Sequence, residues 1–197
     1  MKAFLTRYAR NHGAVAGLVL FAFVVTVALF APVLYANSPW IMAGKPMVMP
    51  LDTLRFPMGT DMLGRDVLAG LVHGARVSLM VGLASTSVAL VFGVCLGAVA
   101  GYAGGWVDDA LMAVTEFFQT IPQLVMAVLV VAILSPTLLS IVGAIALVSW
   151  PPVARLVRTE FLTLRAREFV QAAVVVGQRP LRIILTPILP NAMAPII

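Results

Sequence analysis

The residues of this chain that carry chemistry are few, and their spacing excludes most chemistries. A P-loop needs G-x-x-x-x-G-K-[ST], so that backbone N–H groups and a lysine cradle phosphates. The only lysines, Lys2 and Lys45, are followed by Ala3 and Pro46, so neither fits. No nucleotide site or other cofactor site is expected. A metal centre needs clustered His, Cys or carboxylate ligands. His12, His73 and the single cysteine, Cys95, are far apart in the sequence, and no metal site or catalytic nucleophile is expected from them. Both histidines are read as loop or interfacial residues and Cys95 as a small buried apolar one. A proton-coupled carrier would place ionisable groups deep in the bilayer. Only Glu116, behind Asp108 and Asp109, approaches that position, and an interfacial or pairing role is expected for it. The chain is not expected to be an enzyme.

Composition explains this scarcity. Of 197 residues 61% are apolar and only 11% charged, against roughly 25% charged in soluble domains. Such a chain cannot cover itself with polar surface, and lipid is its natural solvent. The net charge of +5, from 13 basic and 8 acidic residues, is therefore read as a topology signal and not as a nucleic-acid footprint.

Uncharged runs cover residues 13–44, 77–107, 117–154 and 183–197. A spanning helix takes about 20 mainly apolar residues, so spans are expected at 13–34, 77–101, 110–134 and 138–157, with a tight turn near Ser135-Pro136. A further helix is expected to begin near Ile188. The apolar final residues lead us to expect a longer protein, incomplete at this end. The fold class expected is all-α, a polytopic transmembrane helical bundle. The first span is longer than a signal-peptide core and is read as a retained anchor. With the amino terminus inside, nine basic residues (Lys2, Arg7, Arg10, Arg155, Arg158, Arg165, Arg167, Arg179, Arg182) face the cytoplasm and four (Lys45, Arg55, Arg65, Arg76) face out, as the positive-inside rule favours. Residues 35–76 then form the main outer loop. Its four prolines keep the first half irregular, and a short interfacial helix is expected over 61–73, capped by Thr60 or Asp61.

Two patterns concern assembly. Gly93, Gly97 and Gly101 recur at steps of four, which puts them on one helix face and admits a close neighbour. In the loop after the fourth span, a helix is expected over 166–176, stopped by Gly177 and by Pro180. It is too short and too charged at its start to span. Phe169, Ala172, Ala173 and Val176 fall at helical spacing on it, the pattern of a helix laid into another protein's groove, or of a re-entrant or surface-lying amphipathic helix.

The order Ala172-Ala173, three residues, Gly177, nine residues, then a segment ending Leu189-Pro190 resembles the cytoplasmic loop signature of ATP-binding-cassette importer permeases. Gln171 stands where that signature usually has Glu, Val174 where Arg is frequent, and Pro187 where Ile or His is usual. Other stretches are similar to the C-type permeases of the dipeptide, oligopeptide and nickel importers. They are Pro57-Met58-Gly59-Thr60-Asp61-Met62-Leu63-Gly64-Arg65-Asp66-Val67-Leu68 with Gly74-Ala75-Arg76-Val77-Ser78-Leu79, then Gly101-Tyr102-Ala103-Gly104-Gly105-Trp106-Val107-Asp108, and Ile121-Pro122 with Trp150, Arg155 and Arg158. The resemblance covers nearly the whole chain.

The resemblance implies a type I importer permease fold. It implies an amino-terminal part at residues 1–56 and a permease core at 57–197, with a coupling loop at about 159–187. It implies that this permease pairs with a homologous one in the inner membrane. Two separate ATPase subunits would dock on the loop helix through Phe169, Gln171, Ala172, Ala173 and Gly177, with Arg167 and Glu168 at the rim. An extracytoplasmic binding protein would deliver the solute, a peptide or a related small solute such as nickel. Two other classes fit the composition: a carrier or channel without ATPases, and a membrane scaffold joined through the glycine face. The carrier predicts intramembrane charges that the sequence does not supply, and a neighbouring gene for a P-loop ATPase would favour the permease over both.

Overall fold

The fold is seen in a computed structural model, which describes residues 9–36 and 38–196, the last three without their side chains. Lys2 and Arg7, counted above for orientation, lie outside the described residues. The chain divides into two compact units, Met1–Met80 and Val81–Ile197.

In the first unit, α1 (His12–Leu34) begins where Asn11 Oδ1 accepts the Ala14 N–H at 3.2 Å. Apart from His12 and Thr26 its residues are apolar or glycine, and most of its side chains are exposed, as suits a surface that lipid will cover. The irregular segment that follows is held by its own polar groups. The Thr60 hydroxyl donates to the Lys45 carbonyl at 2.6 Å and accepts the Val48 N–H at 3.0 Å. Gly59 and Gly64 adopt φ of +75° and +76°, where a Cβ would also collide with the Val48 and Gly44 carbonyl oxygens. Side chains are excluded at both positions for two separate reasons.

No separate helix forms over 61–73. Instead α2 (Val67–Ala103) runs for 37 residues, about 55 Å at 1.5 Å per residue. Its cap is Asp66, whose Oδ1 accepts the Leu68 and Ala69 N–H groups at 2.9 and 3.3 Å. Asp61 works inside the loop, accepting from Leu63 and Arg65 at 2.8 and 2.9 Å. The spacing of charged residues marks the start of the uncharged run, at Val77, and not where the helix begins.

The second unit contains the rest of α2 and α3 (Gly105–Thr120), α4 (Gln123–Ile133), α5 (Leu138–Arg165), α6 (Glu168–Val175) and a helical stretch over 180–196. The third expected span is not one straight helix. α3 and α4 meet at 84° across Ile121-Pro122, because proline lacks the N–H and the residue before it avoids helical backbone. The turn at Ser135-Pro136 is present, and the Thr137 hydroxyl caps α5 by accepting the Ser140 N–H at 3.2 Å. The closing helix starts at Pro180, earlier than Ile188. It consists of α7 (Pro180–Ile183), a π-turn over Ile184–Ile188 that contains Pro187, and α8 (Leu189–Ile196). Among the described residues three helices are long and apolar enough to cross a membrane, or four if the bent pair α3–α4 counts as one span.

Candidate functional site: the loop helix and its seat

The loop 159–187 is built around α6. Arg167 precedes it with extended backbone, and Gly177 ends it at φ +78°. The Gly177 N–H donates to the Val174 carbonyl at 2.9 Å and the Gln178 N–H to the Ala173 carbonyl at 3.1 Å. This pair of bonds defines a Schellman stop. Nothing crowds position 177, so the demand for glycine is purely conformational, about 1–2 kcal/mol against any residue with a Cβ.

α6 has two different sides. Val170 is 1% exposed and packs with Val157, Phe161, Ile183, Ile188 and Ala192. Ala173 is half-buried against the same cluster. Opposite them Phe169 is 45%, Val175 87% and Val176 78% exposed. Arg167, Glu168, Gln171, Ala172 and Gly177 are exposed as well. Gln171 reaches back, its Nε2 donating to the Arg165 carbonyl at 3.0 Å. The residues singled out from the sequence therefore separate: Ala173 belongs to the inner side, the others to the outer one, and Val175 joins the exposed set.

The seat of α6 is α5, which is held by two devices. The first is the glycine face. Gly93, Gly97 and Gly101 are buried against α5. A Cβ on Gly93 would lie 2.7 Å from Val153 Cβ, one on Gly97 2.8 Å from Val157 Cβ, and one on Gly101 2.6 Å from Phe161 Cβ. The second is polar. Asp108, 6% exposed, accepts from Arg158 Nε at 2.5 Å and Nη2 at 2.6 Å. This bidentate geometry is the strong form of the ion pair. Arg155 donates to Gln119 Oε1 at 2.8 Å, and Arg165 Nη1 reaches the Ala103 carbonyl at 3.4 Å. The turn 101–108 is thus fastened to the end of α5 that leads into α6.

From the sequence, Asp108 stands beside Glu116 and in the 101–108 motif but is assigned no partner. Its partner lies 50 residues away, and the available signal was a carboxylate directly after a long uncharged run. Glu116 itself is exposed on α3 with no ion pair among the described residues. Cys95 is exposed on α2, not buried, because apolar character does not distinguish a protein-facing position from a lipid-facing one. Among the described residues no three His, Cys, Asp or Glu side chains gather to hold a metal.

These elements define an all-α membrane protein whose spans carry a short exposed helix on a packed seat. Comparison with known families makes this specific. Residues 93–197 match the model of the binding-protein-dependent transport system inner membrane component, and residues 1–46 match the N-terminal TM domain of oligopeptide transport permease C. The chain belongs to the family of binding-protein-dependent transport system inner membrane components. It is 39% identical over 202 residues to the di/tripeptide transport system permease protein DppC of Pseudomonas aeruginosa, covering 100% of this chain and 67% of that protein. It is 38% identical to the dipeptide transport system permease protein DppC of Alkalihalophilus pseudofirmus, covering 95% and 62%. With the oligopeptide transport system permease protein OppC of Haemophilus influenzae it shares 36%, covering 95% and 60%. The chain thus spans roughly three-fifths to two-thirds of the length of these relatives.

Proposed function

We propose that the chain serves as one of two paired permease subunits of an ATP-driven importer, with peptides as its cargo and α6 as the handle that its ATPases grip. The cargo class rests on the relatives, which are named for di/tripeptide, dipeptide and oligopeptide transport. The partners are a homologous permease, two ABC ATPase subunits and an extracytoplasmic binding protein. The amino terminus lies in the cytoplasm, in keeping with nine basic residues on that side and four on the other. The division into an amino-terminal part at 1–56 and a core at 57–197 belongs to the same reading.

The observation that carries the proposal is the two-sidedness of α6. An eight-residue helix is too short to be stable alone. This one is anchored through Val170 yet leaves Phe169, Val175 and Val176 uncovered. An anchored helix with an unsatisfied apolar side transmits force from a partner to its seat. A pull on α6 passes through Val170 to Phe161 and Val157 on α5, and from α5 through the glycine face to α2. The result is the rigid-body switching by which two packed states alternate.

The test places charge on the exposed side only. Ala172→Asp and Val175→Asp, in the full-length chain expressed with its partners, are expected to abolish ATPase co-purification and peptide uptake. Chain abundance in the membrane is expected to stay unchanged. Undiminished co-purification and uptake in both variants would remove α6 as the handle.

A further inference from the structure

Two cavities in the first unit adjoin over one stripe of α2. The first, about 450 Å³, lies under the outer loop and is lined by Trp40, Asp61, Arg65, Asp66 and His73. The second, about 580 Å³, is an apolar trough lined by Phe23, Val24 and Val27 of α1. Gly70, Gly74 and Ser78 line both. They sit at steps of four, hence on one helix face. A Cβ on Gly70 or Gly74 would meet nothing within 4 Å. These glycines therefore differ from Gly93, Gly97 and Gly101: no neighbouring backbone requires them, and what they leave is open space.

The polar end of this space holds a cation with no ion pair among the described residues. The Arg65 guanidinium stands 5.3 Å above the Trp40 ring, and its Nε is buried with no hydrogen-bond partner among the described residues. The adjacent carboxylates do not neutralise it by contact. Asp61 Oδ1 is committed to the Leu63 and Arg65 N–H groups, and Asp66 Oδ1 to those of Leu68 and Ala69. Their second oxygens have no hydrogen-bond partner among the described residues. Arg65 lines the first cavity with no ion pair among the described residues, and a phosphate is the acceptor that a guanidinium's planar fork suits. Trp40 beside it marks the level where lipid headgroups lie. A soluble anion would leave the apolar trough unused, and a packed helix would leave the guanidinium unanswered.

We infer that the two cavities form one site for a phospholipid with an ammonium-bearing, zwitterionic headgroup: phosphate on Arg65, ammonium toward Asp61 and Asp66, and an acyl chain along Gly70, Gly74 and Ser78 against α1. The site is independent of α6 and of the cargo.

Native mass spectrometry of the assembled transporter, with the full-length chain in nanodiscs of phosphatidylethanolamine or phosphatidylglycerol, tests this. The wild type is expected to retain one phosphatidylethanolamine per chain through detergent washing. Gly74→Leu fills the trough without a backbone clash, and Arg65→Gln removes the cation. Each is expected to lower retention at least fivefold. Gly82→Leu, equally open but outside both cavities, is expected to leave it unchanged. Equal retention in wild type and Gly74→Leu, equal loss in Gly82→Leu, or a preference for phosphatidylglycerol would each overturn the site. So would a photo-crosslinker at Leu71 that captures another membrane-spanning chain instead of lipid.

Discussion

The sharpest expectation concerns one methyl group at two glycines of the same helix. Position 82 is open and position 97 is closed: a Cβ at Gly97 would strike the Ala154 carbonyl oxygen and lie 2.8 Å from Val157 Cβ and 3.1 Å from the Arg158 nitrogen. Carbon atoms at rest are 3.5–4.0 Å apart, so the α2 and α5 backbones must separate by roughly 1 Å. Two of the three obstacles are backbone, so no rotamer change relieves them. Overpacking of this kind costs about 1–3 kcal/mol. Alanine also improves helix propensity over glycine by about 0.8–1.0 kcal/mol, and that gain is common to both sites. The difference between Gly97→Ala and Gly82→Ala isolates the packing term. It should be about 1–3 kcal/mol, or roughly 5- to 150-fold in an equilibrium constant. Thermal unfolding of the purified, assembled transporter, with both variants in one detergent, measures it. Gly82→Ala should match or exceed the wild type, and Gly97→Ala should fall below both. Equal stability of the two variants would refute the close approach of α2 to α5.

Two further outcomes follow from polar groups. Asp108→Asn replaces a bidentate ion pair with a neutral contact at a buried position, and the loss of a hydrogen bond to a charged group costs about 1.5–3 kcal/mol. The same unfolding assay should show that loss, and adding Arg158→Gln should recover part of it. In the loop between α1 and α2, backbone N–H groups of Arg65 and then Leu63 hold the Asp61 carboxyl below its ordinary value. A depressed pKa stabilises the segment above the unfolded value, and the contribution disappears as pH falls through the folded one. Hydrogen exchange over residues 59–66, corrected for intrinsic rate, should therefore stay flat down to about pH 4 and rise only below it. Asp61→Asn should exchange fast already at neutral pH.

How much of this was legible depended on which solvent or neighbour each residue meets. The first span and the turn at Ser135-Pro136 appear where the uncharged runs and prolines put them, because lipid crossing and proline chemistry act locally. Gly177 as a stop is local too, since the left-handed backbone there is a property of one residue. The start of α2 was not legible. His73 and Arg76 interrupt hydropathy but not helix formation, so the helix extends ten residues beyond the expected span. The bend at Pro122 was hidden because a proline inside an apolar run is compatible with a kinked span and with a broken one. Ala173 and Cys95 exchanged their expected environments, Ala173 turning inward and Cys95 outward. Small apolar residues carry no information about which apolar medium surrounds them. The Asp108–Arg158 pair needed the fold itself, because nothing local joins two residues 50 positions apart.

The fold also constrains how a pull on α6 would spread under the proposed function. Backbone-to-backbone packing along the glycine face allows no gradual sliding of α2 on α5, since each glycine sits in a notch formed by residues about one turn apart. A shift would have to move one full turn, about 5.4 Å, and would also break the Asp108–Arg158 pair. Small displacements therefore carry α2 and α5 together. α4 has no buried residue, yet it lies along α5 and meets α3 at the 84° break. Its position relative to α3 is set by the proline junction together with the packing of both helices on α5. A pull on α6 would therefore move α2, α3, α4 and α5 as one body rather than bend it at Ile121-Pro122, and stiffening that junction should leave both transport and the seat of α6 unchanged.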